Sequence, residues 1–216
     1  MDLFDDLPVP PEAAVTQIAP GAVLLHGFAR DEDAALLQAI ESVLTQAPLR
    51  HWQTPGGYTM SVAMSNCGPL GWVSSASGYR YAALDPLSGQ AWPALPAGLL
   101  DLAQRAAAQA GYPNFLPDAC LINQYVPGAK LSLHQDKDEH DLRAPIVSLS
   151  LGLPAVFLFG TPSRQDRPQR YRLVHGDVVV WGGPSRLAFH GVTALADGEH
   201  ALLGRRRLNL TFRTVG

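Results

Sequence analysis

From residue 119 onward the chain breaks into short apolar runs, rich in β-branched residues and separated by P-G, G-D and G-G pairs. That is the pattern of strands joined by tight turns. Upstream the period changes: Leu36, Leu37, Ile40, Val43, Leu44 and Ala47 recur at helical spacing, with Asp31 placed to cap the segment and Pro48 to end it. A second helix is predicted from near Pro96 through Leu99, Leu102, Ala103, Ala106 and Ala110, stopping at Gly111 with Pro113 beyond. A short strand, A-V-L-L-H from Ala22, precedes the first helix, and residues 1–20, acidic, proline-rich and aperiodic, are expected to be an irregular lead-in. Residues 21–216 then form a single domain, mainly β with flanking helices. Its expected core is a double-stranded β-helix, or jelly roll, over residues 119–216, with an N-terminal helical and hairpin extension. Within that extension residues 48–92 are rich in Gly, Ser and aromatics, including Tyr58, Trp72, Tyr79 and Tyr81, and are expected to form a lid.

Strand parity locates the chemistry. In R-L-N-L-T-F-R, Arg207, Asn209, Thr211 and Arg213 share one face, and Leu208, Leu210 and Phe212 share the other. Two guanidinium groups turned inward demand an anion, because an unpaired buried charge is expensive. A solvated edge strand would show the same alternation. Asn123 and Tyr125 likewise share a face, just before a P-G turn that leads into L-H-Q-D. There His134 and Asp136 stand two apart, so both can reach one ion while Gln135 points away. His190 in A-F-H-G-V is the candidate third ligand. Two imidazoles and one carboxylate suit Fe(II) and leave three positions open, the arrangement of non-haem Fe(II) oxygenases. A small dicarboxylate such as 2-oxoglutarate would satisfy both the inward arginines and the metal. An H-x-D pair on a solvated turn needs no metal at all.

At 216 residues, nearly half of them apolar, the chain can bury one sizeable core. Its net charge of −3 lacks the basic excess of dedicated duplex binders, so any nucleic-acid contact must rest on stacking and a local patch, with Lys130, Lys137, Arg164, Arg167, Arg170 and Arg172 as candidates. Two cysteines make no disulfide framework. With no signal peptide, long apolar span or lipidation signal in view, the chain is expected in the cytoplasm, away from membranes.

Several blocks carry a family resemblance: T-P-G-G-Y-T-M-S-V-A-M from Thr54, N-Q-Y-V-P-G-A-K-L-S-L-H-Q-D-K-D from Asn123, R-A-P-I-V-S-L-S-L-G from Arg143, H-G-D-V-V-V-W-G-G from His175, and R-L-N-L-T-F-R. Through them the chain resembles the AlkB family of Fe(II)/2-oxoglutarate dioxygenases. The resemblance implies oxidative demethylation of alkylated nucleobases of the 1-methyladenine and 3-methylcytosine type, in single- or double-stranded DNA and in RNA, by a monomer. It implies that His134, Asp136 and His190 hold iron and form the catalytic centre, and that Asn123, Gln124, Tyr125, Arg207, Asn209 and Arg213 receive 2-oxoglutarate. Trp72, Tyr79, Arg80, Tyr81, Asp138 and Arg164 would contact the nucleotide, Trp72 closing on a flipped base opposite His134. Gln124 stands where a basic residue is expected, Leu208 where an aromatic is common, and the text around Arg164 departs from the pattern. Two alternatives share the triad: a hydroxylase of a protein or small metabolite, and a non-catalytic cupin-like metal binder.

Overall fold

The structure, a computed structural model, describes residues 15–216. In chain order its elements are β1 (Val15–Ala19), β2 (Ala22–Leu25), α1 (Asp33–Gln46), β3 (Arg50–Gln53), β4 (Thr59–Cys67), β5 (Gly71–Ser75), β6 (Gly78–Ala82) and α2 (Ala97–Gln109). Then follow β7 (Ala119–Tyr125), β8 (Leu131–His134), β9 (Ile146–Gly152), β10 (Ala155–Phe159), β11 (Gln169–Leu173), β12 (Val178–Trp181), β13 (His190–Val192) and β14 (Arg207–Arg213). Eight strands form a major sheet in the order β1-β2-β12-β9-β14-β7-β4-β3, and four form a minor sheet in the order β11-β10-β13-β8. Among the described residues, strands β5 and β6 pair only with each other. The two larger sheets make the expected jelly roll.

The side-chain period of two sorts the major sheet into two cores. Val147, Leu149, Leu151, Leu208, Leu210 and Phe212 pack with Leu36, Ile40 and Val43 of α1 and Leu99, Leu102 and Ala106 of α2. The opposite face, through Leu121, Tyr125, Ile146, Val179 and Trp181, meets Phe157, Phe159 and Val192 of the minor sheet. Each fully buried leucine contributes about 1.5–3 kcal/mol, so the helix side is a large part of what holds the sheet in place. The inner core is incomplete by design: polar residues of β7, β9 and β14 face it and surround a cavity.

Three expectations about boundaries change. Residues 15–19 form a strand, because Val15 to Gln17 pair with Leu25 to Val23 and the Tyr171 hydroxyl donates to the Ile18 carbonyl at 3.1 Å; residues 1–14 lie outside the described residues. Asp31 does not cap α1, since a 3-10 turn at Arg30–Glu32 intervenes and the helix begins at Asp33 without a side-chain cap. The segment 48–92 is not all lid, because β3 and β4 continue the major sheet beside β7, leaving the β5–β6 hairpin and the loop before β4 as the covering part.

Candidate active site

Strands β8 and β13 of the minor sheet pair so that His134 and His190 lie opposite each other. The close approach needs Gly191, where a Cβ would stand 2.7 Å from the Leu131 carbonyl oxygen. The two rings lie 4.3 Å apart between centroids, and Asp136 completes a cluster whose ligand atoms all fall within 4.8 Å of one another. His134 Nε2 is 3.6 Å from Asp136 Oδ1, and His190 Nε2 is 3.7 Å from Asp136 Oδ2. Each Nδ1 lies against a backbone carbonyl, Ser132 at 2.9 Å and Ala188 at 3.0 Å. A carbonyl only accepts, so each Nδ1 carries the proton and each Nε2 presents its lone pair to the common centre. Burial, and next the neighbouring His134, push the His190 imidazole down to about 4, which keeps it neutral for ligation. Burial would raise the Asp136 carboxyl, but the Arg213 guanidinium and the His190 and His134 imidazoles together outweigh it and hold the group well below the usual carboxylate range.

Asp136 does not reach the centre as the second of two strand positions. Strand β8 ends at His134, and Asp136 is carried by the following loop. It is aimed by Arg213, whose Nε and Nη2 donate to Asp136 Oδ2 at 3.0 and 2.6 Å. Gln135 is not turned away either: it borders the cavity and donates to the Leu187 carbonyl.

Beneath the cluster the polar face of β14 meets β7 and β9 in register. Arg207 stands opposite Tyr125 on one side and Gly152 on the other, and Asn209 opposite Asn123 and Ser150. Asn209 donates to Ser148 Oγ at 2.8 Å and accepts from Asn123 at 3.3 Å. Arg207 is 1% exposed, lies 5.0 Å over the Tyr125 ring and donates through Nη2 to Ser150 Oγ at 2.9 Å; among the described residues Nε and Nη1 have no hydrogen-bond partner. A buried guanidinium with two orphan donors, opening on a cavity of about 630 Å³, is what a carboxylate fills. Gln124 is a correction: it faces the other side of β7, accepts from Arg206 at 3.3 Å and does not border the cavity. Strand parity required this, since its neighbours Asn123 and Tyr125 face inward.

The mouth is covered by the β5–β6 hairpin. Trp72 and Tyr79 stack with centroids 5.3 Å apart and border the cavity with Tyr58, Met60, Lys130 and Asp138. Burial and the nearby Glu139 and Asp136 raise the Asp138 carboxyl. Arg80, Tyr81 and Arg164 do not border the cavity: Arg80 donates to Ser75 at 3.2 Å, Arg164 lies 5.6 Å over the Phe189 ring, and the Tyr81 hydroxyl donates to Glu139 at 2.6 Å. Two supports were missed by sequence reasoning. Asn66, buried in β4, receives the Trp72 N–H and donates to the Trp72 carbonyl, both at 2.9 Å, which fixes the ring's base in place of a neighbouring strand. Glu139 and Arg186, buried and 3.1 Å apart, sit in or against a K-D-E-H-D loop that reads as solvated.

Two histidines and a carboxylate at one end of a jelly roll, above an unsatisfied arginine on an inner strand, define the iron- and 2-oxo-acid-dependent oxygenases. In agreement, the model of the 2OG-Fe(II) oxygenase superfamily matches residues 21–213. Among individual proteins, "Alpha-ketoglutarate-dependent dioxygenase AlkB" of Escherichia coli (strain K12) is 56% identical over 100% of this chain and 98% of that protein. The "tRNA demethylase abh1" of Schizosaccharomyces pombe is 34% identical over 68% of this chain and 53% of its own length. The solved structure of OsALKBH1 superposes with a TM-score of 0.81 at 29% identity, covering 93% of this chain and 99% of that one. The chain belongs to the AlkB family of Fe(II)/2-oxoglutarate-dependent dioxygenases, and Fe(II) and 2-oxoglutarate are its cofactor and cosubstrate. The lone-pair geometry of the triad and the orphan donors of Arg207 fit both groups.

Proposed function

We propose that this enzyme removes N-methyl groups from alkylated bases, foremost 1-methyladenine and 3-methylcytosine in DNA, with RNA as a further substrate. The observation that carries the reading is the stacked Trp72–Tyr79 pair, fixed by Asn66 over the same cavity that His134 borders. A base taken out of its helix would lie with Trp72 on one face and the His134 imidazole on the other. Asp138 at the same rim favours a ring made cationic by methylation. Neither a small-metabolite hydroxylase nor a cupin-like metal binder has use for this aromatic clamp, and a metal binder has none for a buried, half-paired Arg207.

In this reading His134, Asp136 and His190 hold iron, while Arg207, with Tyr125 and Asn209 beside it, holds the far carboxylate of 2-oxoglutarate. Arg213 serves chiefly to aim Asp136, not as a free clamp on the cosubstrate, because its Nε and Nη2 both go to that carboxylate. Bound iron and cosubstrate supply an oxidation in which 2-oxoglutarate and O2 become succinate and CO2, and N–CH3 becomes N–CH2OH. The hydroxymethyl group then leaves as formaldehyde, and from a cationic adduct the hydroxyl proton is released as the neutral base is restored. The chain's own part is to hold the methyl group near the triad and keep water out, with Phe157 and Trp181 walling the inner end.

The enzyme is read as a cytoplasmic monomer, where a reducing medium keeps iron ferrous and Cys67 and Cys120 free. Among the described residues no helix is long and apolar enough to cross a membrane. The test is incubation with Fe(II), 2-oxoglutarate and oligonucleotides carrying 1-methyladenine or 3-methylcytosine, in DNA and in RNA. Loss of one methylene mass per lesion with one formaldehyde is expected. Succinate formation that methylated oligonucleotides do not stimulate would point to a different substrate class.

A further inference from the structure

Among the described residues the β5–β6 hairpin pairs with no other strand, yet it touches the metal site through one chain of polar contacts. Tyr81 of β6 donates to Glu139 Oε1 at 2.6 Å, Arg213 Nε is 3.3 Å from the same Oε1, and Arg213 Nη2 donates to Asp136 Oδ2 at 2.6 Å. From the other side Arg186 pairs with Glu139 Oε2 at 3.1 Å and donates to the backbone carbonyl of Asp136 at 2.7 Å. The Glu139 side chain is 1% exposed. Two acids and two arginines thus share a closed compartment, and a single hydroxyl from the hairpin supplies the remaining donor.

We infer that Tyr81 and Glu139 are positioning residues that couple the base-receiving hairpin to the metal ligand Asp136. Arg213 Nε donates to Asp136 at 3.0 Å and lies 3.3 Å from Glu139 Oε1, an ion-pair contact that competes for the same guanidinium. With the Tyr81 hydroxyl in place, Glu139 has donors enough and Arg213 stays with Asp136. When the hairpin withdraws, Glu139 Oε1 keeps Arg213 as its remaining partner and draws it off the metal ligand. A closed hairpin therefore firms the iron site, and by reciprocity a filled iron site favours the closed hairpin. Outer partners of this kind change metal affinity about 10–100-fold when lost. The inference rests on the hairpin's role as the base-recognition element.

The test uses the full chain, metal-free, titrated with Co(II) in the presence of 2-oxoglutarate and read by the cobalt absorption bands. Tyr81→Phe removes one hydroxyl and keeps the ring, and an unchanged far-UV spectrum and melting temperature confirm its fold. Its Co(II) dissociation constant is expected to rise about tenfold. Ser77→Ala, an exposed change in the turn of the same hairpin that neither borders the cavity nor joins the Tyr81 chain, is expected to leave Co(II) binding at the wild-type value. In a second arm, the gain in methylated-oligonucleotide affinity on adding Co(II) and 2-oxoglutarate should shrink in Tyr81→Phe by the same factor. A Co(II) affinity of Tyr81→Phe within twofold of wild type, or an equal loss in Ser77→Ala, overturns the inference. The first arm contains no nucleic acid, so it stands even if the enzyme's substrate proves to be something else.

Discussion

Replacing Arg207 by methionine should make the metal-free protein more stable and the enzyme nearly useless at ordinary 2-oxoglutarate concentrations. The guanidinium is buried with Nε and Nη1 unpartnered, and burial lowers its pKa against the opposing pull of Tyr125. An unsatisfied buried donor costs about 1–3 kcal/mol, about 4 kcal/mol for the two together, which outweighs the about 1.5–3 kcal/mol bond from a charged donor to Ser150 that methionine gives up. A net gain of about 2 kcal/mol in the unliganded state corresponds to a rise of about 4–8 °C in Tm for a chain of this size. Methionine fills similar volume, so no large cavity enters the comparison. Against the cosubstrate the sign reverses: removing one partner of a buried, hydrogen-bonded ion pair costs about 3–5 kcal/mol, or about two to four orders of magnitude in Kd. Thermal melts with and without 2-oxoglutarate, combined with calorimetric titration in the presence of Mn(II), measure both effects in the same variant. A lower Tm without ligand together with unchanged 2-oxoglutarate affinity would refute the reasoning, and would make Arg207 a structural residue of the inner core.

Alanine at His134, Asp136 or His190 should abolish turnover while the fold persists, read by circular dichroism alongside bound iron per chain; a variant that keeps full activity is not a ligand. Trp72→Ala should weaken oligonucleotide binding by about 1–3 kcal/mol in a fluorescence anisotropy titration, the range of one stacking contact. Asp138→Asn should lose more kcat/KM on cationic 3-methylcytosine than on neutral 1-methylguanine, and equal losses would end its role in charge recognition. Gly191→Ala should lower both Tm and metal content, because its Cβ would meet the Leu131 carbonyl at 2.7 Å and push the His134 and His190 strands apart; an iron-replete, wild-type melt would contradict that placement.

Strand parity made much of this site legible. The alternation of R-L-N-L-T-F-R assigned Arg207 and Asn209 to the interior and Leu208, Leu210 and Phe212 to the helix side, and the structure has them there. The same rule, applied consistently, excludes Gln124. What parity could not reach lies off the strands. Asp136 converges through a loop held by Arg213, and Glu139 sits in a stretch of alternating charge that reads as solvated until Arg186 and Tyr81 are brought to it from 47 and 58 residues away. Asn66 escaped because its role depends on the backbone of Trp72 and not on any motif. Arg80 was placed at the nucleotide by likeness alone and Arg164 by likeness and as part of a candidate basic patch, and both side chains find partners outside the cavity.

Strand β14 interleaves two duties residue by residue, with apolar anchors for the helices alternating with polar groups that line the cavity. Inserting or deleting one residue there would exchange the two faces, turning leucines toward the iron and guanidinium groups into the helix layer. Such a change could not give a well-folded protein that has merely lost its catalyst; it would unfold the sheet as well. Where a descendant of this sequence loses activity through this strand yet keeps its shape, the change must be a point substitution at an inner position, and such a retired copy should still display an intact L-x-L-x-F rhythm beside an altered Arg207 or Asn209.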